Sequence, residues 1–226
     1  MTDSMPPPPP MPPAPPPSSG HPVQLSIERP DHYSRGLAIL GVPLLYGRFI
    51  ALIPVLIVVA VVGIVAFFAA LAFQFAVLFT GQYPEGGHRF LTGYLRLVYR
   101  MNAWAFGLTD RYPWFSMQEE PPAGGTPFTV AVSIEHAGEY SRGLAVLGCI
   151  LFVGRFIALI PVLFVLYFFR IAAFVVAWVL QFVVVFTGEY PEGAHTFVAG
   201  YLRLELRAEA WLYGLTDKYP GFSIQP

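Results

Sequence analysis

Two long stretches of apolar residues dominate the pattern of hydrophobic and polar positions. They cover residues 36–81 and 143–188, and each is interrupted mainly by one arginine, Arg48 or Arg155. A straight helix of such a length would approach about 70 Å, whereas the hydrocarbon core of a bilayer is only about 30 Å thick. The pattern therefore predicts an integral membrane protein in which neither stretch forms one straight span.

Two arrangements of each apolar stretch fit this length. In the first, the stretch is a transmembrane helical hairpin that turns near residues 62–63 and 169–170. In the second, an interfacial helix containing Arg48 leads into one tilted span, residues 50–79. Arginines flank the stretch on both sides, and such residues tend to stay on the cytoplasmic side of a membrane. Because a hairpin returns both flanks to that side, the sequence favours the hairpin.

Two further elements are predicted in each half of the chain. In residues 85–108, Arg89, Thr92, Arg96 and Arg100 follow spacings of three and four opposite an apolar side, which predicts an amphipathic helix. Residues 192–215 are the equivalent segment of the second half. Each helix would lie at the membrane–water interface or pack against the protein's own helices. Alternating apolar residues around Leu25 and Val132 predict short strands. Residues 115–117 and 222–224 are their expected partners.

The second half of the chain repeats the first. Residues 26–117 align with residues 133–224 without a gap, and 55 of the 92 aligned pairs are identical. Such self-similarity indicates a tandem duplication. The fold class predicted is therefore all-α and membrane-embedded, with two repeats, each a hairpin plus an amphipathic interfacial helix, and minor short β-strands.

The composition divides the chain into four parts. Residues 1–24 form a proline-rich tail that is expected to be disordered, because proline cannot donate the hydrogen bonds of a helix or sheet. Residues 25–117 are the first repeat, residues 118–127 a polar linker, and residues 128–226 the second repeat. The tail is a candidate ligand for a protein partner.

Charge and motifs narrow the function classes. Hydrophobic residues make up 55% of the chain and charged residues 12%, and the net charge is −1. No basic field would attract nucleic acid. The single cysteine, Cys149, cannot form an internal disulfide. The sequence has no phosphate loop, nucleophile elbow or zinc-protease motif, so we expect no enzymatic activity and no cofactor.

The repeated motifs resemble a known family. FTGxYPEG at residues 79–86 and 186–193 is followed by GLTDxYPxFS at residues 107–116 and 214–223, and YSRGLA precedes both. Together they resemble an uncharacterised bacterial membrane family, catalogued as domain of unknown function 4389. The resemblance covers both copies, from about Gln24 onward. It implies a bacterial membrane protein and carries no activity to transfer.

Six polar residues are the candidate binding positions. Arg48 and Arg155 interrupt the apolar stretches, where a charged side chain is costly unless it is paired, wet or functional. They would snorkel to lipid headgroups, pair within the protein or line a substrate path. Gln74 and Gln181 are predicted buried amides that bond between the two copies. The other two lie on the predicted amphipathic helices: Arg96 and Arg203.

A Glu-x-x-His pattern opens each predicted amphipathic helix. Glu85 and His88, like Glu192 and His195, would share a helix face, as in di-metal bundles. The apolar stretches offer no further carboxylates, so we expect no metal site. Glu85 is better explained as a favourable charge at the positive end of the helix dipole.

Three functions are compatible with these features. The leading hypothesis is a non-enzymatic scaffold or accessory subunit of a membrane assembly, which contacts anionic lipids. The alternative is a small transporter or channel with a polar path between the two repeats, lined by the arginines and glutamines above. A third, an enzyme acting on lipid, would need His88 or His195 as a base. We expect a multi-pass protein of the bacterial cytoplasmic membrane with both termini in the cytoplasm.

Overall fold

The fold is taken from a computed structural model that describes residues 20–121 and 126–225. The proline-rich residues 1–19 and linker residues 122–125 lie outside this range, so the predicted disordered tail and its protein partner are not tested. The described chain is mainly helical, with one two-stranded sheet, as predicted. Its elements in chain order are β1 (Val23–Ile27), α1 (Arg35–Gly41), α2 (Tyr46–Ala51), α3 (Ile53–Thr80), α4 (Glu85–Ala105), β2 (Val130–Ile134), α5 (Arg142–Cys149), α6 (Val153–Thr187) and α7 (Glu192–Leu212).

One long apolar helix in each repeat replaces the predicted hairpin. Helices α3 and α6 run unbroken through residues 62–63 and 169–170, so the predicted turns are wrong. The physical reason is that neither site carries turn chemistry, and a lone glycine at position 63 costs a helix only about 1 kcal/mol. Arg48 lies in the short helix α2 just before α3, as the second arrangement predicted. Both α3 and α6 are long and apolar enough to cross a membrane.

Each repeat nevertheless contains a helical hairpin, formed by α3 with α4 or by α6 with α7. The turn is at the FTGxYP motif. Gly81 and Gly188 end the long helices in the left-handed conformation, with φ of 76° at both. Glycine adopts this conformation without steric cost. Pro84 and Pro191 then precede the first residues of α4 and α7.

The two repeats are related by an approximate two-fold axis that passes through the sheet. Strands β1 and β2 pair antiparallel, with Leu25 opposite Val132 at the centre and Val23 opposite Ile134 at one end. Leu25 and Val132 are equivalent positions of the two repeats, so each strand pairs with its own counterpart. The predicted pairing with residues 115–117 or 222–224 is therefore wrong. The first strand also begins at Val23, inside the predicted tail.

The repeats exchange their short helices. Helix α1 packs on α6 of the second repeat, and α5 packs on α3 of the first. Helices α4 and α7 touch each other beneath the sheet, with α3 and α6 packed against them. Most residues of α4 and α7 are buried inside the protein, as expected for the predicted alternative in which these helices pack against the protein's own helices. Their position relative to a membrane stays a prediction.

Candidate functional site

Arg48 and Arg155 are buried inside the protein and bound to its backbone. Only 2% of Arg48 and 1% of Arg155 are exposed. The Arg48 Nη1 donates to the carbonyl oxygen of Trp104 at 2.7 Å, and its guanidinium lies 5.1 Å from the centre of that indole. Arg155 repeats this arrangement on Trp211 and also donates from Nε to the Leu144 carbonyl at 3.1 Å. Of the three predicted roles, these contacts fit structural pairing.

The carbonyls that receive these arginines belong to helix ends. Trp104 and Trp211 lie in the last turns of α4 and α7, where the helix dipole is negative. Their carbonyls also accept hydrogen bonds from the amides of Gly107 and Gly214, at 3.0 and 3.1 Å. A guanidinium there supplies both a donor and a positive charge. Arg48, just before α3, therefore binds the end of α4, and Arg155, at the start of α6, binds the end of α7.

Gln74 and Gln181 lie between the repeats, as predicted, but they do not bond to each other. Gln74 packs against Gly148 and Gly214 of the second repeat and donates to the carbonyl of Tyr213 at 2.9 Å. Gln181 packs against Gly41 and Gly107 of the first repeat. Each amide thus fills a space that small residues of the other repeat leave open.

The repeated motifs meet at two equivalent junctions between the repeats. At one junction, the Tyr33 amide donates to the carbonyl of Gly188 at 3.0 Å. The Tyr33 ring lies 5.6 Å from that of Tyr190. The next amide, of Ser34, donates to the Asp110 carboxylate. YSRG, FTGxYP and GLTDxYP therefore contribute residues to an intramolecular interface.

Arg96 and Arg203 bind the strand of the opposite repeat. Arg96 donates to the Val132 carbonyl at 3.0 Å and pairs with Glu119 at 2.7 Å. Arg203 donates to the Leu25 carbonyl at 3.3 Å. The arginine side of the predicted amphipathic helices thus faces the sheet. Binding of lipid or substrate by the six candidate residues stays a prediction.

His88 lies in a polar cavity of about 380 Å³ near the start of α4. Its ring centre is 4.8 Å from that of His136, and its Nε2 is buried without a hydrogen-bond partner. Burial, and then the neighbouring His136, lower the pKa of His88 to about 4. The imidazole is therefore neutral at neutral pH. Within residues 20–121 and 126–225, no three His, Cys, Asp or Glu side chains are arranged to hold a metal ion.

Comparison with known proteins identifies the family. The chain matches the family described as Domain of unknown function (DUF4389) twice, over residues 45–117 and 151–223. These two regions together make up more than half of the chain. The chain belongs to the DUF4389 family. No curated protein and no solved structure matches it.

One groove with charged side chains distinguishes the second DUF4389 repeat from the first. A cavity of about 250 Å³ between α6 and α7 is lined by Tyr167, Arg170, Tyr201, Glu205 and Glu209, together with leucines. The Tyr201 hydroxyl donates to Glu205 at 2.8 Å. This charged cluster was not predicted from the sequence.

The first DUF4389 repeat has uncharged residues at the charged positions of this groove. Its equivalents of Arg170, Glu205 and Glu209 are Gly63, Val98 and Asn102. The corresponding cavity beside α3 is lined mainly by apolar residues. The groove could therefore have been predicted from the aligned positions at which the two copies differ in charge.

Glu209 should make the stability of the protein depend on pH. Its carboxylate accepts a hydrogen bond from Tyr99 at 3.2 Å. Burial, and then the nearby Glu205, raise the pKa of Glu209 to about 8 from its ordinary 4.5. Because the folded state holds this proton more tightly than the unfolded state, the contribution of Glu209 is complete below pH 4.5 and is lost as the pH rises through 8. The slope is at most about 1.4 kcal/mol per pH unit.

The matched variant for this effect is Glu209→Asn, which copies the first repeat. Unfolding in detergent micelles, measured between pH 5 and pH 9, should show a smaller loss of stability with rising pH in Glu209→Asn than in wild type. Identical pH profiles would contradict the raised pKa.

Proposed function

We propose that this protein is a non-enzymatic membrane protein that serves as a scaffold or accessory subunit of a membrane assembly. The observation that supports it best is the apolar surface of α3 and α6. Ile57, Ile64 and Phe68 of α3 are each at least 60% exposed, as are Phe164 and Phe186 of α6. Leaving such side chains in water costs about 1.5–3 kcal/mol each relative to burying them. Lipid or a membrane partner would remove this cost.

A structural role for the protein agrees with how its shared residues are used. Residues of the repeated motifs bind the chain's own backbone. Arg48 does so within its repeat and Gln74 does so across to the other repeat, while Asp110 accepts from the amide of Ser34. The predicted lining of a polar path between the repeats consists of the same arginines and glutamines, which donate to backbone carbonyls of the chain. We therefore favour the scaffold over a transporter or channel.

The contact with anionic lipids is assigned to exposed arginines at the ends of helices. Arg35 and Arg142 begin α1 and α5, and Arg89 is exposed in the first turns of α4. Their positive charge would attract a negatively charged leaflet. We propose the bacterial cytoplasmic membrane as the location, with both termini in the cytoplasm and the proline-rich tail as the contact for a protein partner.

Membrane fractionation tests the first part of this proposal. The full chain is expected in the membrane fraction, resistant to an alkaline carbonate wash and soluble only with detergent. A triple variant with Ile57→Glu, Ile64→Glu and Phe68→Glu should release the protein from the membrane fraction or abolish its accumulation. The control is Ser26→Glu with Ser133→Glu on the exposed side of the sheet, which should stay membrane-bound. A wild-type chain that is folded and monodisperse in buffer without detergent contradicts the proposal.

Purification in mild detergent tests the second part. The scaffold proposal predicts that lipid or a second protein remains bound to the tagged chain through size-exclusion chromatography. Recovery of a bare monomer from its native membrane would overturn the scaffold role while leaving membrane attachment intact.

A further inference from the structure

The direction of the helices relative to the two-fold axis can be followed from the contacts of the sheet. Helix α4 runs along β2, since Arg96 donates to Val132 and Arg100 donates to Val130. The axis relating two antiparallel strands is perpendicular to their sheet. Helix α4 therefore lies across the axis and not along it, and the same holds for α7 beneath β1.

The apolar helices follow the same direction. Helix α3 runs antiparallel beside α4: Gly63 faces Tyr94, and Gly87 faces Phe73. A two-fold axis reverses any element that lies perpendicular to it. Helices α3 and α6 therefore point in opposite directions, both across the axis.

The protein has a polar side and an apolar side along this axis. The outward residues of the sheet include Ser26, Ala131 and Ser133, all exposed. Beside the sheet, Glu119 is 68% exposed where it pairs with Arg96, near the middle of α4. The layer that contains α3 and α6 carries most of the exposed large apolar side chains.

A crossing of the bilayer by α3 and α6 conflicts with this arrangement. The polar sheet surface and Glu119 lie level with the middle of α3, so a perpendicular crossing would place them in hydrocarbon. Unpaired polar groups and charges are costly there. The second repeat would also be inverted while its flanking arginines stay the same, against the bias of positive charge to the cytoplasmic side.

We propose that α3 and α6 lie in the plane of the membrane, embedded in the cytoplasmic leaflet, with the two-fold axis along the membrane normal. This inference rests on the proposed membrane attachment and replaces the predicted multi-pass topology. The sheet then faces the cytoplasm. The occupant of the apolar surface is the acyl-chain region of one leaflet.

The in-plane orientation also explains Arg170. It is exposed at the middle of α6, 17 residues from either end of the helix. In a perpendicular span its guanidinium would lie at the centre of the bilayer. In a helix parallel to the surface, the same side chain reaches the headgroups by extending along the protein, as long basic side chains do at interfaces.

Depth measurements with spin labels test the orientation. Single cysteines replace Ile57, Phe68 and Phe79 in a Cys149→Ala background, and the labelled protein is reconstituted in vesicles of phosphatidylethanolamine and phosphatidylglycerol. All three positions are exposed and lie on one face of α3, since they are 11 residues apart. Power saturation with oxygen and a water-soluble nickel chelate then gives the depth of each label.

In-plane helices predict the same shallow depth for all three labels, and the same for the equivalent series Phe164, Val175 and Phe186. Labels at Ser26 and Ser133 should be fully accessible to the nickel chelate. In a crossing helix, positions 57 and 79 are about 33 Å apart along the membrane normal, and position 68 lies midway between them. A label at position 68 that is more than about 10 Å deeper than those at 57 and 79 would therefore overturn the in-plane orientation. Water accessibility at all positions would instead contradict membrane attachment itself.

Discussion

Replacing Arg155 with Ala is expected to lower the free energy of unfolding by about 3 kcal/mol or more. The side chain is only 1% exposed and donates hydrogen bonds to two backbone carbonyls. Its removal would take this donor away from the buried carbonyl of Trp211 and from the partly buried carbonyl of Leu144. Each hydrogen bond to a charged group contributes about 1.5–3 kcal/mol. The loss of the positive charge at the negative end of α7 adds to this cost.

The matched control for Arg155→Ala is Arg89→Ala. Arg89 is exposed and lies in the first turns of α4, away from the C-terminal end of that helix, which Arg48 binds. Its replacement should change the free energy of unfolding by less than about 0.5 kcal/mol. Arg155→Lys should fall between the two, since an ammonium group can reach one carbonyl but lacks the planar fork of guanidinium. Chemical unfolding in detergent micelles measures all three. Equal stability of Arg155→Ala and Arg89→Ala would refute the assigned structural role.

The sequence predicts the repeated architecture well because duplication and apolar length are local properties. The two long apolar stretches, the helix that follows each, and the strands around Leu25 and Val132 could all be predicted from periodicity and alignment, although the favoured hairpin within each stretch was wrong. The turn at residues 62–63 was wrong because the length of an apolar stretch does not say where it bends. Gly81, followed by Pro84, is the turn signal that the chain uses.

The contacts between the repeats could not be predicted from the sequence. An alignment shows that Gln74 and Gln181 are equivalent, but not that each would fill a space beside glycines of the other copy. Two similar repeats show the same local sequence patterns whether their short helices pack within a repeat or are exchanged. The groove at Arg170 could not be predicted from the residues that the two copies share, because its charged positions are ones at which the copies differ.

Replacing Gly214 with Ala is expected to destabilise the protein by about 3 kcal/mol. Gly214 has a φ of 75°, a conformation that costs a residue with a Cβ atom about 1–2 kcal/mol. A Cβ atom at this position would also collide with the Nε2 of Gln74. Overpacking of a filled core typically costs about 1–3 kcal/mol. The Gln74 amide cannot move away without losing its hydrogen bond to the carbonyl of Tyr213.

A double-mutant cycle with Gln74→Ala separates the two causes. Gly221→Ala is the control for the backbone term, because Gly221 has a φ of 66° and no atom within 4 Å of an added Cβ. It should cost only the backbone term of about 1–2 kcal/mol. In the Gln74→Ala background, the additional cost of Gly214→Ala should fall to that same value. If the cost of Gly214→Ala were unchanged by Gln74→Ala, the glutamine would not be what requires glycine here, and the proposed packing of one repeat against the other at this junction would be wrong.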